Sequence, residues 1–412
     1  MLKNYLTAEQ SGEEILSIVD AVRGGIPSAV FGVTLAEKCH VASATGLPAL
    51  YIVKDGVYAS KIVEELKGLT GEEVVYLPPK DDVLLFKTAF EKSRFYERLS
   101  AIYKIQRGAK YVVATFESLL QLFPKKIPTV EIKRGQTLDP YSLISVLTKM
   151  GYRREEFAEE KATFALRGDI FEIYPVNGDN IYRVDFFGDE VETVTEYEKG
   201  DKEEKTIVSG FTAIAATDAI IDENDRQTVK DRLRESVLKF KTLAVKDDAR
   251  RIAAEISEKI DDGACDDSFQ FILPILPSVT SDILSYMSPE TVIVYDECKM
   301  LSDSLSALIK EHTERVLTLS RAGRAMDFTI LQLSDSNRLI ERLNGFRRMA
   351  LQNITTAVNF FNPLKTFNVK CSPVARYSAK PDDLFRDISN WKFSGYKIIL
   401  CCGSAARADK MA

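Results

Sequence analysis

Short apolar runs alternate with longer amphipathic segments between residues 48 and 122. The runs ALYIVK, EEVVYLP and KYVVATF are rich in Val, Leu, Ile and Tyr, whereas VYASKIVEELKGL and FYERLSAIYKIQRG have apolar residues at helical spacing. Short buried strands separated by helices are typical of a parallel sheet that is covered on both faces. A later run, ETVIVYDE, predicts another buried strand, and ITTAVNFF and FNVKCSPVARY predict edge strands. The first fold prediction is therefore an α/β domain with a parallel sheet.

The stretch from Arg167 to Glu192 has a different pattern, which predicts a β-hairpin in an antiparallel α+β region. Two runs rich in Ile, Val, Phe and Tyr flank PVNGDN, whose Pro, Asn and Gly favour turns. Because successive side chains of a strand point to opposite faces, one face of the second strand is mainly apolar: Tyr182, Val184 and Phe186. The other face combines an arginine, a carboxylate and an aromatic ring: Arg183, Asp185 and Phe187.

Two interpretations of the second face stay open at this point. It is either an ordinary solvated face, with Phe187 partly covered by a neighbouring element, or a protein-docking site. Arginine and aromatic side chains are the usual anchors of protein interfaces, which favours docking.

Charge narrows the kind of partner that this region fits. The chain has a formal net charge of −6, which disfavours nucleic acid as its main ligand. Between Lys149 and Lys205 there are 16 acidic and 9 basic residues, which gives −7 for this segment. A partner that presents basic groups is expected here, rather than a phosphate backbone.

Length and composition set the broad class. A chain of 412 residues predicts two to four domains, and 45% hydrophobic with 28% charged residues is ordinary for a soluble globular protein. No apolar run approaches the roughly 20 residues of a membrane helix, and the first residues are too polar for a signal peptide. We therefore expect a cytoplasmic protein with no membrane partner.

The sequence SAVFGVTLAEKC fits the strand, loop and helix in which a P-loop, G-x-x-x-x-G-K-[ST], would lie. Aligned on Gly32 and Lys38, the second glycine is replaced by Glu37 and the hydroxyl residue by Cys39. A glutamate adds negative charge beside the phosphate position, and cysteine lacks the oxygen ligand that Mg²⁺ prefers. Either Gly32 and Lys38 match by chance or the motif is a decayed P-loop; in both cases ATP is not expected to bind.

Other candidate chemistry is sparse. Asp296 and Glu297 end a predicted buried strand, as the metal-orienting and water-activating carboxylates of helicases do, but they lack a competent P-loop. The six cysteines form no CxxC pair and no metal-ligand cluster. We expect no catalytic residue, no metal and no cofactor in this chain.

The runs RGDIFEIYP and YRVDFFGDEVETV resemble the second domain of the nucleotide-excision-repair protein UvrB and of the bacterial transcription-repair coupling factors. The resemblance implies a binding surface for UvrA, the damage-recognition ATPase. By analogy Arg167, Arg183 and Phe187 are contact residues, together with Glu190, and Asp185 joins them through its position on the same strand face.

The resemblance also implies a domain layout. Residues 1–130 and 211–374 would form a degenerate, discontinuous RecA-like helicase domain, 131–210 an inserted UvrA-binding domain, and 375–412 the start of a third, truncated small α/β domain. The 412 residues are then expected to be the N-terminal part of a longer protein, an ATP-dependent DNA translocase. ATP, Mg²⁺, RNA polymerase and double-stranded DNA would be bound by downstream domains.

Two function hypotheses follow. The first is a non-catalytic module of a transcription-repair coupling factor that recruits UvrA to RNA polymerase stalled at DNA damage. The alternative is an ATP-dependent repair helicase subunit of the UvrB kind. That alternative needs a working P-loop and a long DNA-threading hairpin, and the segment from Pro79 to Arg98 is too short for such a hairpin. A generic metabolic α/β enzyme has no Gly-rich loop, triad or metal cluster to support it.

Overall fold

The computed structural model describes residues 13–81, 84, 86, 91–201, 204–263, 267–370, 377, 381–396, 398, 400 and 405–411. The chain divides into two compact units, Met1–Lys370 and Cys371–Ala412. In chain order the strands are β1 Ser28–Phe31, β2 Ala49–Val53, β3 Val74–Leu77, β4 Tyr111–Thr115, β5 Phe123–Pro124, β6 Thr129–Lys133, β7 Arg153–Arg154, β8 Thr163–Arg167, β9 Ile170–Tyr174, β10 Asn180–Phe187, β11 Glu190–Glu198, β12 Thr206–Ile207, β13 Gly210–Ile214, β14 Val279–Thr280, β15 Val292–Asp296, β16 Arg347–Gln352 and β17 Lys365–Asn368.

The α-helices are α1 Glu13–Arg23, α2 Leu35–Ala44, α3 Gly56–Thr70, α4 Lys92–Gln106, α5 Phe116–Leu120, α6 Pro140–Lys149, α7 Arg226–Leu238, α8 Leu243–Asp261, α9 Cys298–Arg321, α10 Ser336–Leu343, α11 Pro381–Phe393 and α12 Ala405–Met411. Short 3₁₀ helices cover Glu223–Asp225, Asp267–Ile275, Ile283–Tyr286 and Thr329–Gln332. Local sequence explains individual ends. Asp55 caps α3, since its carboxylate accepts from the Tyr58 amide at 2.8 Å, and Gly71 ends that helix with a φ of 68°.

Seven of the described strands form a parallel sheet in the order β17-β1-β16-β15-β2-β4-β3. Strands β1, β2, β4 and β15 are buried along their whole length, as expected for a sheet with elements on both faces. The α/β arrangement predicted from the alternating runs is confirmed.

One strand prediction is wrong. The run ITTAVNFF, residues 354–361, forms no strand, because its aromatic residues cover the sheet instead of extending it. The Phe360 ring stacks on Tyr295 of β15 with centroids 5.0 Å apart. The second run, residues 367–377, contributes Phe367 and Asn368 to β17, which lies at the end of the parallel sheet, and its residues 371–376 lie outside the described part of the chain.

A second sheet is antiparallel apart from the β7–β8 pair and has the order β12-β11-β10-β9-β8-β7. One face of this sheet shares an apolar core with Leu143 and Leu147 of α6. Strands β6 and β13 pair with each other, from Thr129 opposite Ile214 to Lys133 opposite Gly210. The chain therefore leaves and re-enters the first layer at neighbouring points, as an inserted segment would. The exact domain boundaries given above stay predictions.

The helices α7 and α8 form a smaller helical part with its own apolar core, to which Val229, Leu233, Ile256 and Phe271 contribute. In the unit Cys371–Ala412, α11 begins at a proline, the residue whose fixed φ suits the first helical position. Part of the third predicted domain lies outside the described residues, as does part of the connection from Pro79 to Arg98. Among the described helices, none has the length and hydrophobicity that crossing a membrane requires.

Candidate functional site

The side of the antiparallel sheet that carries Arg183 and Asp185, here called the outer face, is the first candidate site. Strand β10 alternates as predicted, because Val184 and Phe186 are buried while Phe187 is 79% exposed. A β-bulge follows Asp185, which lies opposite Thr193, whereas Phe186 lies opposite Val191. The two large rings of this strand therefore have opposite environments, and Phe187 is the one available to a partner.

The guanidinium of Arg183 is held in place by the neighbouring carboxylate. Its Nε and Nη2 donate to Oδ1 of Asp185 at 3.0 and 2.8 Å. The hydroxyl of Thr193 donates to the other oxygen of Asp185 at 2.9 Å. Both charged side chains are about 30% exposed, at 29% and 31%. Asp185 thus orients Arg183 and leaves it accessible. Because the Arg183 side chain is already ordered, it would lose less conformational entropy on binding a partner.

Glu190 lies beside Phe187 at the β10–β11 turn. The two residues are paired in register across Gly188, whose φ of 60° suits glycine, and Asp189. The turn is braced from outside, since the amide of Leu138 donates to the Asp189 carbonyl at 2.7 Å. Phe187 and Glu190 are therefore exposed on a supported turn.

Arg167 makes more contacts within the chain than the sequence suggested, although its side chain is 37% exposed. Its guanidinium pairs with the carboxylate of Glu172, donates to the backbone carbonyl of Glu156 and lies 4.5 Å from the Phe157 ring centroid. Glu172 is 6% exposed and also accepts from the Tyr197 hydroxyl at 3.1 Å. Sequence reasoning missed Glu172, although a carboxylate between Phe171 and Ile173 in a strand is a signal for a buried partner.

The second candidate site is the decayed P-loop. The predicted strand, loop and helix are present as β1, a turn at Gly32 and α2. Gly32 has a φ of 78°, and a Cβ there would lie 2.3 Å from the carbonyl oxygen of Val369. Lys38 in α2 is 3% exposed. Its Nζ is 2.7 Å from Oδ1 of Asp296 and 2.6 Å from Oε1 of Glu297. The structure therefore brings Lys38 together with both carboxylates.

Further contacts close this Lys38–Asp296–Glu297 cluster. The Tyr51 hydroxyl donates to Oδ2 of Asp296 at 3.1 Å, and the amide of Asn353 donates to Oε1 of Glu297 at 2.8 Å. Burial raises the pKa of Asp296, while the charge of Lys38 acts in the opposite direction. Glu297 has a φ of 57°, a left-handed conformation that is costly for a residue with a side chain.

A cleft of about 410 Å³ lies over the cluster and is lined in part by Thr34, Lys54, Tyr58 and Asn353. The other P-loop positions do not line it: Gly32, Glu37 and Cys39. Cys39 is fully buried, which raises the pKa of its thiol. Within the described part of the chain, no group of three or more His, Cys, Asp or Glu side chains is arranged to hold a metal ion.

Comparison with known proteins assigns the region of the antiparallel sheet to a family. The family described as UvrB interaction domain matches residues 130–218, which contain β7 to β13. The transcription-repair-coupling factor of Bacillus subtilis is 20% identical over 425 residues, covering 100% of this chain and 36% of that protein. The factor of Myxococcus xanthus is 20% identical over 434 residues, covering 98% and 35%. That of Staphylococcus aureus is 20% identical over 383 residues, covering 88% and 32%. The chain thus spans about a third of the length of these relatives, and the resemblance indicated by its motifs is confirmed.

Proposed function

We propose that this chain, which resembles transcription-repair coupling factors along its whole length and carries a UvrB interaction domain, is a docking module for UvrA. The observation that carries the proposal is the outer face itself: an oriented arginine, Arg183, and an aromatic ring at Phe187 that is 79% exposed. In this function the module recruits UvrA to RNA polymerase stalled at DNA damage. We assign it to the cytoplasm.

Each residue of the face has a distinct proposed role. Phe187 and Arg183 are the anchors, because an exposed ring and an oriented guanidinium gain most from burial against a partner. Asp185 holds Arg183 in its binding orientation. Glu190 lies at the rim beside Phe187, where a charge affects the association rate more than the final affinity. Arg167, which pairs with Glu172, has a supporting role.

We also propose that the P-loop-like cleft binds no nucleotide and is not catalytic. Lys38, whose ammonium would have to contact phosphate, already donates to Asp296 and Glu297. A phosphate would have to compete with two carboxylates, one of them 1% exposed, and would bring further negative charge toward them. The alternative function, a UvrB-like ATP-dependent helicase subunit, would require this cluster to open. For a protein of the relatives' length we propose that ATP, Mg²⁺, RNA polymerase and double-stranded DNA are bound elsewhere, by an ATP-dependent translocase.

The test is equilibrium binding of purified UvrA to the purified chain, with single variants. We expect Arg183→Ala and Phe187→Ala each to weaken binding by about 2 kcal/mol, roughly 30-fold, as interface hot spots do. Leu243→Ala is the matched control, because Leu243 is 76% exposed on α8. Unchanged affinity in both outer-face variants would refute the proposed site. Low-micromolar ATP binding that is lost in Lys38→Ala would favour the helicase alternative.

A further inference from the structure

Residues 155–161, here called the strap, cross the outer face of the antiparallel sheet. They connect β7 to β8, two strands that lie side by side and run parallel. Ala158, at the middle of the strap, is 2% exposed and packs in a small apolar cluster with Tyr174 of β9, Ile181 of β10 and Tyr197 of β11. The strap therefore reaches over three successive strands of the sheet that bears Arg183.

A polar network centred on Arg167, with Glu172 and Tyr197 as its buried members, fixes the strap to the sheet. Arg167 contacts the strap twice, at the Glu156 carbonyl and at the Phe157 ring. The same guanidinium pairs with Glu172 on β9, and Glu172 accepts from the hydroxyl of Tyr197 on β11. Burial raises the pKa of Tyr197, and the Glu172 charge adds to this effect, so its hydroxyl remains a donor at neutral pH.

The network adjoins the proposed UvrA contacts. Glu172 lies directly opposite Arg183 in the β9–β10 register, so both side chains are on the outer face. Phe157 of the strap is 43% exposed and presents a second aromatic ring on this side of the sheet. The outer face is thus covered by the strap at one end and open at the end that carries Phe187.

We propose that the strap is one wall of the docking face, with Phe157 as its contact residue. Glu172 and Tyr197 are positioning residues that hold the strap there through Arg167. This inference rests on the proposed function, because the partner is UvrA. In this arrangement Arg167 acts chiefly by holding the strap, and less as a direct contact of UvrA. Glu172 and Tyr197, at 6% and 4% exposed, are themselves too buried to offer a partner much surface.

The experiment measures UvrA affinity for Glu172→Gln, Tyr197→Phe, Arg167→Ala and the Arg167→Ala/Glu172→Gln double variant. We expect Glu172→Gln to weaken UvrA binding about fivefold and Tyr197→Phe about twofold. These changes correspond to the low end of the interaction energies found between contacting residues. The double variant should bind no more weakly than Arg167→Ala, since both changes release the same strap. Hydrogen exchange of the strap amides should accelerate in the same variants.

Tyr152→Phe is the matched control. It removes a buried hydroxyl that donates to the Ile214 carbonyl at 2.7 Å, without touching the strap network. UvrA affinity should therefore be unchanged in this variant. Tyr197→Phe removes a single oxygen and keeps the test decisive if Glu172→Gln does not fold.

The inference is overturned if Glu172→Gln and Tyr197→Phe bind UvrA like the unaltered chain while Arg183→Ala and Phe187→Ala bind weakly; the docking proposal then survives. Full additivity of Arg167→Ala and Glu172→Gln would also overturn it, because Arg167 would then act independently of the network. An equal loss of UvrA affinity in Tyr152→Phe would mean that the variants act through general stability, and would overturn the inference as well. If the unaltered chain does not bind UvrA, the docking proposal fails and this inference fails with it.

Discussion

Replacing Lys38 with methionine should destabilise the parallel-sheet layer strongly. The change keeps an apolar stem in α2 but removes the cation that faces Asp296 at 2.7 Å and Glu297 at 2.6 Å. At an effective dielectric constant of about 20, two unit charges at that separation attract by about 6 kcal/mol before desolvation is subtracted. Because Asp296 would be left buried and uncompensated, we expect a net loss of about 3–5 kcal/mol in the free energy of unfolding at pH 7.5.

The loss in Lys38→Met should depend on pH. Burial already raises the pKa of Asp296, and removal of Lys38 raises it further. A carboxyl whose pKa is raised in the folded state binds more protons when the chain is folded. The cost of its ionisation to folding stability is therefore absent below the unfolded-state pKa and grows as pH rises through the folded-state pKa. The variant should therefore lie closer to the unaltered chain at pH 4.5 than at pH 7.5, by at least about 1 kcal/mol.

Urea unfolding at both pH values measures these quantities, with Lys299→Met as the control. Lys299 pairs with Asp303 at the same 2.7 Å, but the two side chains are 65% and 61% exposed. Its loss should stay below about 1 kcal/mol at either pH. The triple variant Lys38→Met/Asp296→Asn/Glu297→Gln should recover most of the stability, since no buried charge is then left unpaired. A loss below about 1 kcal/mol in Lys38→Met, equal at both pH values, would refute the closed cluster.

Two further predictions concern stability. Although burial opposes the effect, hydrogen bonds from Arg232 and Lys239 lower the pKa of Asp327 to about 2. The stabilisation that ionised Asp327 contributes is therefore present above the unfolded pKa and lost as pH falls from about 4 toward 2. Asp327→Asn should lower the free energy of unfolding by about 1 kcal/mol at pH 7 after solvent screening, and should make that free energy fall less steeply between about pH 4 and pH 2. Gly32→Ala should lower stability by more than about 1 kcal/mol, because its φ is 78° and the added Cβ would lie 2.3 Å from the Val369 carbonyl oxygen. Gly25→Ala, with a φ of 75° and open space around it, measures the backbone contribution alone. Equal losses in the two glycine variants would contradict the steric argument.

Sequence patterns predicted the elements that depend on local periodicity. Alternation in β10 was enough to separate Phe187 from Phe186, and the apolar runs located the parallel strands. These features repeat at fixed intervals along the chain, which is why they are visible in it. Lys38, Asp296 and Glu297 were assigned differently, by similarity to the P-loop lysine and to the helicase carboxylates, and the Lys38 ammonium lies within 2.7 Å of both carboxylates.

Features that depend on a loop's path could not be predicted in this way. Arg167 and Glu172 are diagonal neighbours across the β8–β9 hairpin, but the strap that Arg167 also contacts follows a path over the outer face that the spacing of these residues does not indicate. The run 354–361 has strand-forming residues, yet its Phe360 is used to cover Tyr295. In this run a tertiary contact decides the local conformation, and local propensity is overridden.

The most direct test of the docking claim is hydroxyl-radical footprinting of the chain with and without saturating UvrA. The Phe187 ring, 79% exposed in the free chain, should be oxidised readily alone and be protected at least about fivefold in the complex, as a buried interface anchor would be. Leu243, 76% exposed on α8, should be oxidised equally in both samples. Protection of Leu243 with unchanged oxidation of Phe187 would contradict the account.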